Sequence, residues 1–161
     1  MIQRVQSLFL FGAAILALLI LFFPIWTGIG SAADAGEQAQ ITALVDAFAI
    51  SIDTQTEPAE GAAYIASLAI LSAITALFTI FRFKNRILQM RLCSFNLLLL
   101  SALIGTYFLA ISRARNYFTE TESENFQTGF YLPIAAIVLT WLANKYIKKD
   151  EKLVRSVDRL R

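Results

Sequence analysis

All charged side chains of this 161-residue chain, 14 basic and 12 acidic, fall outside four uncharged runs at residues 5–33, 61–81, 92–112 and 125–144. A helix rising ~1.5 Å per residue needs about 20 apolar residues to cross a ~30 Å hydrocarbon layer, and each run is that long. Soluble domains carry roughly a quarter of their residues as charge, spread over the whole surface. Here only 16% of residues are charged and 57% are hydrophobic. The pattern predicts an all-α fold: one integral membrane domain, a four-helix transmembrane bundle with spans at about 5–26, 62–81, 92–111 and 129–147.

The residue inventory narrows the chemistry. With no histidine there is neither an imidazole base nor a His metal ligand, and the single cysteine, Cys93, permits no internal disulfide and no thiolate zinc site. The spans hold no Asp, Glu, Lys or Arg, the groups that ion and proton relays leave at membrane depth. The expectation is a non-enzymatic protein with no catalytic residue, no metal site and no cofactor.

Along the chain, the first apolar stretch is longer than the core of a signal peptide and reads as an anchor. It closes at Phe23-Pro24-Ile25-Trp26, where proline interrupts the backbone ladder and tryptophan suits the headgroup level. Residues 28–60 carry six acids and no basic residue, and are expected to form a small extracytoplasmic cap. Within it Ile41, Leu44, Val45 and Phe48 have helical spacing, whereas Phe48, Ile50 and Ile52 alternate as in a strand, and so short a run leaves both open. Gly28-Ile-Gly30-Ser-Ala-Ala33 fits a loose dinucleotide fingerprint but lacks a preceding strand. Residues 112–128 form the second outer loop, with Glu120, Glu122 and Glu124 read as solvated, and Pro133 reads as a first-turn proline of the last helix.

Four spans put the N-terminus, the 82–91 loop and the tail on one side, with net charge +9; the other side carries −7. Basic residues accumulate on cytoplasmic loops, so both termini are expected in the cytoplasm.

The opening Met1-Ile-Gln-Arg-Val-Gln-Ser-Leu8, the Phe23-Pro24-Ile-Trp26 close, the Gly129-Phe-Tyr-Leu-Pro133 start of the last helix and the ending Ile147-Lys-Lys-Asp-Glu-Lys-Leu-Val-Arg-Ser-Val-Asp-Arg-Leu-Arg161 resemble one family. It is a bacterial domain-of-unknown-function family of small four-helix inner-membrane proteins. The resemblance implies a multi-pass protein of a Gram-negative inner (cytoplasmic) membrane and supports the four-span topology. It brings no catalytic or binding residues.

Two sets of residues stand out. Ala13, Ala17, Thr75, Asn96, Ser101, Gly105, Ala136 and Thr140 are small or polar groups within the spans, expected to pack helix on helix. At the basic end, Arg82, Lys84, Arg86 and Arg91 occupy the loop. The tail from 148 to 161 reads as a cytoplasmic amphipathic helix, with Leu153, Val154, Val157 and Leu160 at helical spacing among Lys148, Lys149, Lys152, Arg155, Arg159 and Arg161. That face suits anionic membrane lipids or a protein partner in or at the inner membrane. RNA is disfavoured by the interspersed acids and the apolar seam, and nothing points to DNA. The expected role is a structural or accessory subunit of a larger membrane assembly, translocation or envelope-biogenesis machinery being the kind that suits a basic face. The alternative is a homo-oligomeric pore or a small-solute or lipid transporter component.

Overall fold

The polar segment after the first helix folds as strands, and this changes the fold class. The computed structural model describes residues 3–32, 40–53, 60–83 and 85–158, with the backbone alone at 3–4, 32 and 155–158. Its helices are α1 (Gln3–Leu19), α2 (Ala63–Phe81), α3 (Arg86–Arg115) and α4 (Thr128–Asp158). Its strands are β1 (Trp26–Ala32), β2 (Gln40–Val45), β3 (Ala49–Ile52), β4 (Glu60–Gly61) and β5 (Phe118–Phe126). They form one antiparallel sheet in the order β4-β3-β2-β1-β5. The expectation of an all-α bundle is therefore corrected: the fold is mixed, four helices and a five-stranded sheet.

The sheet is one-sided. Ile41, Ala43 and Val45 of β2 and Ile50 and Ile52 of β3 are buried in alternation with their neighbours, the period-2 pattern of a strand with one face on a core. The undecided run 41–52 is thus a β2–β3 hairpin. Its turn is fixed by the Asp46 carboxylate, which accepts from the backbone N–H groups of Phe48 (2.7 Å) and Ala49 (2.8 Å). The inward face packs on Ile20, on Ile65, Ala66 and Ala69 of α2, and on Leu103, Tyr107, Ala110, Ile111 and Ala114 of α3, with Phe130 and Leu132 of α4 against the same cluster. The sheet therefore caps one end of the helices.

The glycines of the loose fingerprint have a packing role. Gly28 and Gly30 lie in β1 between two other strands. A Cβ on Gly28 would enter the ring of the buried Trp26, and one on Gly30 would strike the Glu120 carbonyl of β5.

Each helix packs on two others, α1 on α2 and α4, and α3 on α2 and α4. α2, α3 and residues 128–154 of α4 are long and apolar enough to cross a membrane. α1 is apolar but shorter than the span 5–26 read from the sequence: it ends at Leu19 and the chain turns into β1. Outward-facing side chains on all four are large and apolar, among them Leu8 and Phe11, Ile74 and Phe78, Leu98 and Phe108, Ile134 and Val138. Large apolar side chains on the outward faces of all four helices are compatible with a membrane protein.

Pro133 lies inside α4, at its sixth residue, and not in the first turn. Having no N–H, it leaves the carbonyl of Gly129, four residues earlier, without its helical donor. The buried Tyr107 supplies one, its hydroxyl donating to that carbonyl at 3.4 Å. Tyr107→Phe should cost about 1–2 kcal/mol by stranding a buried carbonyl, measured as a lower unfolding midpoint in detergent. A midpoint equal to wild type would refute this assignment.

Candidate functional site at the basic end of the helices

At the end of the helices away from the sheet, α3 starts at Arg86 behind an Asn85 cap whose carboxamide oxygen accepts from Leu88 N–H at 3.1 Å. α4 runs past this level in one piece to Asp158. Residues 141, 145, 148 and 152 are spaced by four, three and four, and so share one face of α4. With Asn144 and Lys149 they line a groove of about 500 Å³. The Lys145 ammonium sits 5.3 Å from the centroid of the exposed Trp141 ring, within cation–π range. Asn144 is 6% exposed, and its Oδ1 has no hydrogen-bond partner.

The loop between α2 and α3 joins this face. Arg86 donates from Nη1 to the Asp150 carbonyl at 3.0 Å, tying the first turn of α3 to the outer part of α4. The Arg82 guanidinium lies 4.9 Å from the Phe78 ring centroid, and Arg91 is exposed. Ammonium groups on flexible stems beside an aromatic ring recognise anions.

Of the basic-end residues read from the sequence, Lys148, Lys149 and Lys152 line the groove; Arg82 lies at the α2–α3 turn, while Arg86 and Arg91, expected in a loop, lie in the first two turns of α3. Leu153 and Val154 are exposed on α4. Arg155 and Val157 lie in α4 with their side chains outside the described residues, and Lys84, Arg159, Leu160 and Arg161 lie outside them altogether. Sequence reading missed Trp141, Asn144 and Lys145 as parts of this face. Their signal was the spacing of 141 and 145 to 148 and 152, hidden by placing the span end at 147.

The intramembrane set divides. Ala13 and Ala136 pack with Leu100, and Ala17 is buried. The Ser72 hydroxyl donates to Asn96 Oδ1 at 2.8 Å, Asn96 Nδ2 reaches Thr140 Oγ1 at 3.5 Å, and Thr140 donates to Ala136 O at 2.8 Å, so one polar chain joins α2, α3 and α4. Thr75 donates to Leu71 O of its own helix. Ser101 and Gly105 face outward: Ser101 donates to Leu97 O, and a Cβ on Gly105 would meet nothing within 4 Å. Their spacing brings no two helices of this chain together.

At the sheet end Glu60, Glu122 and Glu124 are engaged. Glu60 meets Arg113 at 3.6 Å and accepts from Tyr117 Oη at 3.3 Å. Desolvation, then the Glu60 carboxylate, raises the Tyr117 phenol above its ordinary pKa. Glu124 pairs with Arg115, and Glu122 accepts from Gln40. Glu120, Glu122 and Glu124 are thus strand residues of β5, not a free loop. Among the described residues, no three Cys, Asp or Glu side chains are grouped to hold a metal.

The family model of a domain of unknown function, DUF4293, matches residues 2–160, and no curated protein matches the sequence. With that match running over nearly the whole length, through all four helices and the sheet they carry, the chain belongs to the DUF4293 family of unknown function.

Proposed function

We propose that this chain is a non-enzymatic, four-pass protein of the bacterial inner membrane, an accessory subunit that docks a protein partner at the cytoplasmic face through its basic end. The observation that carries this reading is the outer part of α4. A helix that only had to cross the membrane would stop near Lys145, yet α4 continues to Asp158, presenting exposed Lys148, Lys149, Lys152 and Val154. Ordering those extra turns costs conformational entropy, and a face mixing cations with an exposed aliphatic residue suits an acidic amphipathic partner surface. The charge asymmetry supports a cytoplasmic position for this end and an outer one for the sheet. α1, with the turn through Phe22, serves as the fourth crossing.

Purification from native membranes in mild detergent tests the reading. A companion protein in fixed ratio is expected with the full chain and is lost when residues 150–161 are removed. A companion that survives that deletion overturns the docking role of α4, and a lone oligomer with a polar central path indicates the pore instead.

A further inference from the structure

We infer that the groove on α4 is a binding site for the headgroup of an anionic phospholipid, with the phosphodiester held by lysines and a headgroup hydroxyl held by Asn144. This rests on the membrane placement above, not on the protein partner. The first observation is depth. Trp141 closes the row of outward apolar residues on α4 formed by Tyr131, Ile134 and Val138, and the lysines follow before the next exposed apolar residues, Leu153 and Val154, so the groove lies where hydrocarbon gives way to headgroups. The second is charge. Lys145, Lys148, Lys149 and Lys152 bring four ammonium groups to one cavity of about 500 Å³, large enough for a phosphate and its glycerol. An ammonium or choline headgroup would add a cation to four others and is disfavoured.

The third observation points to a specific ligand group. Asn144 lines the cavity with a side chain more than nine-tenths buried, and its Oδ1, just beneath the surface of the groove, has no partner. A buried acceptor without a donor costs about 1–3 kcal/mol, so one carried by a residue that lines a groove is suited to a donor arriving from outside once the carboxamide turns toward it. A phosphate diester has no proton to give at neutral pH, whereas a glycerol headgroup has hydroxyls. Phosphatidylglycerol carries both parts: an anion for the lysines and a hydroxyl for Asn144. The Trp141 ring, with Lys145 over it, forms the wall on which the glycerol and the first acyl carbons rest.

The test uses the purified full-length chain in detergent, with lipid retention read by native mass spectrometry. The probes are phosphatidylglycerol, phosphatidic acid and phosphatidylcholine, each offered alone and in competition. Wild type is expected to retain one phosphatidylglycerol in preference to phosphatidylcholine. At about fivefold per basic residue near a charged headgroup surface, the variant with Lys145, Lys148, Lys149 and Lys152 all changed to Gln should lose retention by well over tenfold. Asn144→Leu, which keeps the volume and the lysines, should abolish the preference for phosphatidylglycerol over phosphatidic acid while leaving phosphate-dependent retention. Equal retention by the four-Gln variant, or equal retention of phosphatidylcholine by wild type, overturns the site. Displacement of the lipid by millimolar inorganic phosphate overturns its lipid identity in favour of a soluble phosphate. No partner protein is present, so loss of the companion in native membranes with lipid retention intact, or the reverse, separates this inference from the docking role.

Discussion

Gly129→Ala should lower the unfolding stability of the detergent-solubilised chain by about 3 kcal/mol, at the upper end of what one added methyl costs in packed space. Gly129 sits in the first turn of α4 with its N–H on Pro24 O at 2.9 Å, and its carbonyl takes the Tyr107 hydroxyl because Pro133 offers no N–H. A Cβ there would lie 2.5 Å from Pro24 O and 2.6 Å from Phe23 O. Both are backbone atoms, so no rotamer change relieves the clash. α4 would have to lift away from the turn that also pairs Gln127 N–H with Ile25 O at 3.0 Å. Gly105→Ala is the matched control. Its Cβ would meet nothing within 4 Å, and alanine is the better helix former by about 1 kcal/mol. Thermal unfolding followed by tryptophan fluorescence at fixed detergent should show Gly129→Ala well below wild type and Gly105→Ala at or above it. Equal midpoints for wild type and Gly129→Ala would mean that the helix start is not held against the 23–25 turn.

Asn96→Ala should be the most costly single change among the polar groups within the helices, at about 2 kcal/mol. Asn96 is 1% exposed and touches α2 through Ser72 and α4 through Thr140. Interhelical hydrogen bonds average ~0.6 kcal/mol and reach ~1.7, and truncating a buried side chain adds the cost of the space left behind. Asn96→Leu should cost less. It fills the space, Thr140 keeps its bond to Ala136 O, and the Ser72 hydroxyl can turn to a carbonyl of its own helix. A double-mutant cycle with Ser72→Ala isolates the shared bond. Coupling of about 0.5 kcal/mol or more is expected, and strict additivity would show that the Ser72–Asn96 contact contributes nothing.

The helices were legible because charge cannot sit cheaply in lipid, so every span declares itself by a gap in the charge. The sheet was not legible for the same reason read backwards. β1, Trp26–Ala32, has no charge either, so the uncharged run 5–33 joined a helix to a strand and lengthened the first span. Pro24 marked the junction, but a gap in charge carries no period. β5 reads Phe-Thr-Glu-Thr-Glu-Ser-Glu-Asn-Phe, polar at every position between its end aromatics, so alternation of apolar and polar residues could not reveal it. β5 is a strand because β1 offers it a partner, which no local signal records. Only β2 and β3, with Ile41, Val45, Ile50 and Ile52 turned inward, carried part of the expected pattern. At the basic end the lysines were legible one by one. Their convergence with Trp141 and Asn144 falls across residues 147 and 148, where the sequence reading divided span from tail and so assigned the two halves of one helix face to separate roles.

The pairing of β1 with β5 has a consequence for the order in which the protein is made. Trp26 stands opposite Phe126, and both α2 and α3 lie between them in the chain. In the proposed four-pass topology, β1 emerges early during synthesis and waits, with one row of its amides and carbonyls unpaired, until the whole α2–α3 hairpin has been threaded through the membrane and residue 118 has followed. Closing the outer sheet is therefore a check on completed insertion, since a chain with either middle helix missing or reversed delivers β5 to the wrong side. A nascent chain that stalls before that point exposes an open strand edge, and two such chains side by side in the membrane can pair with each other instead. The same ladder that seals the finished molecule is the place where an unfinished one would aggregate.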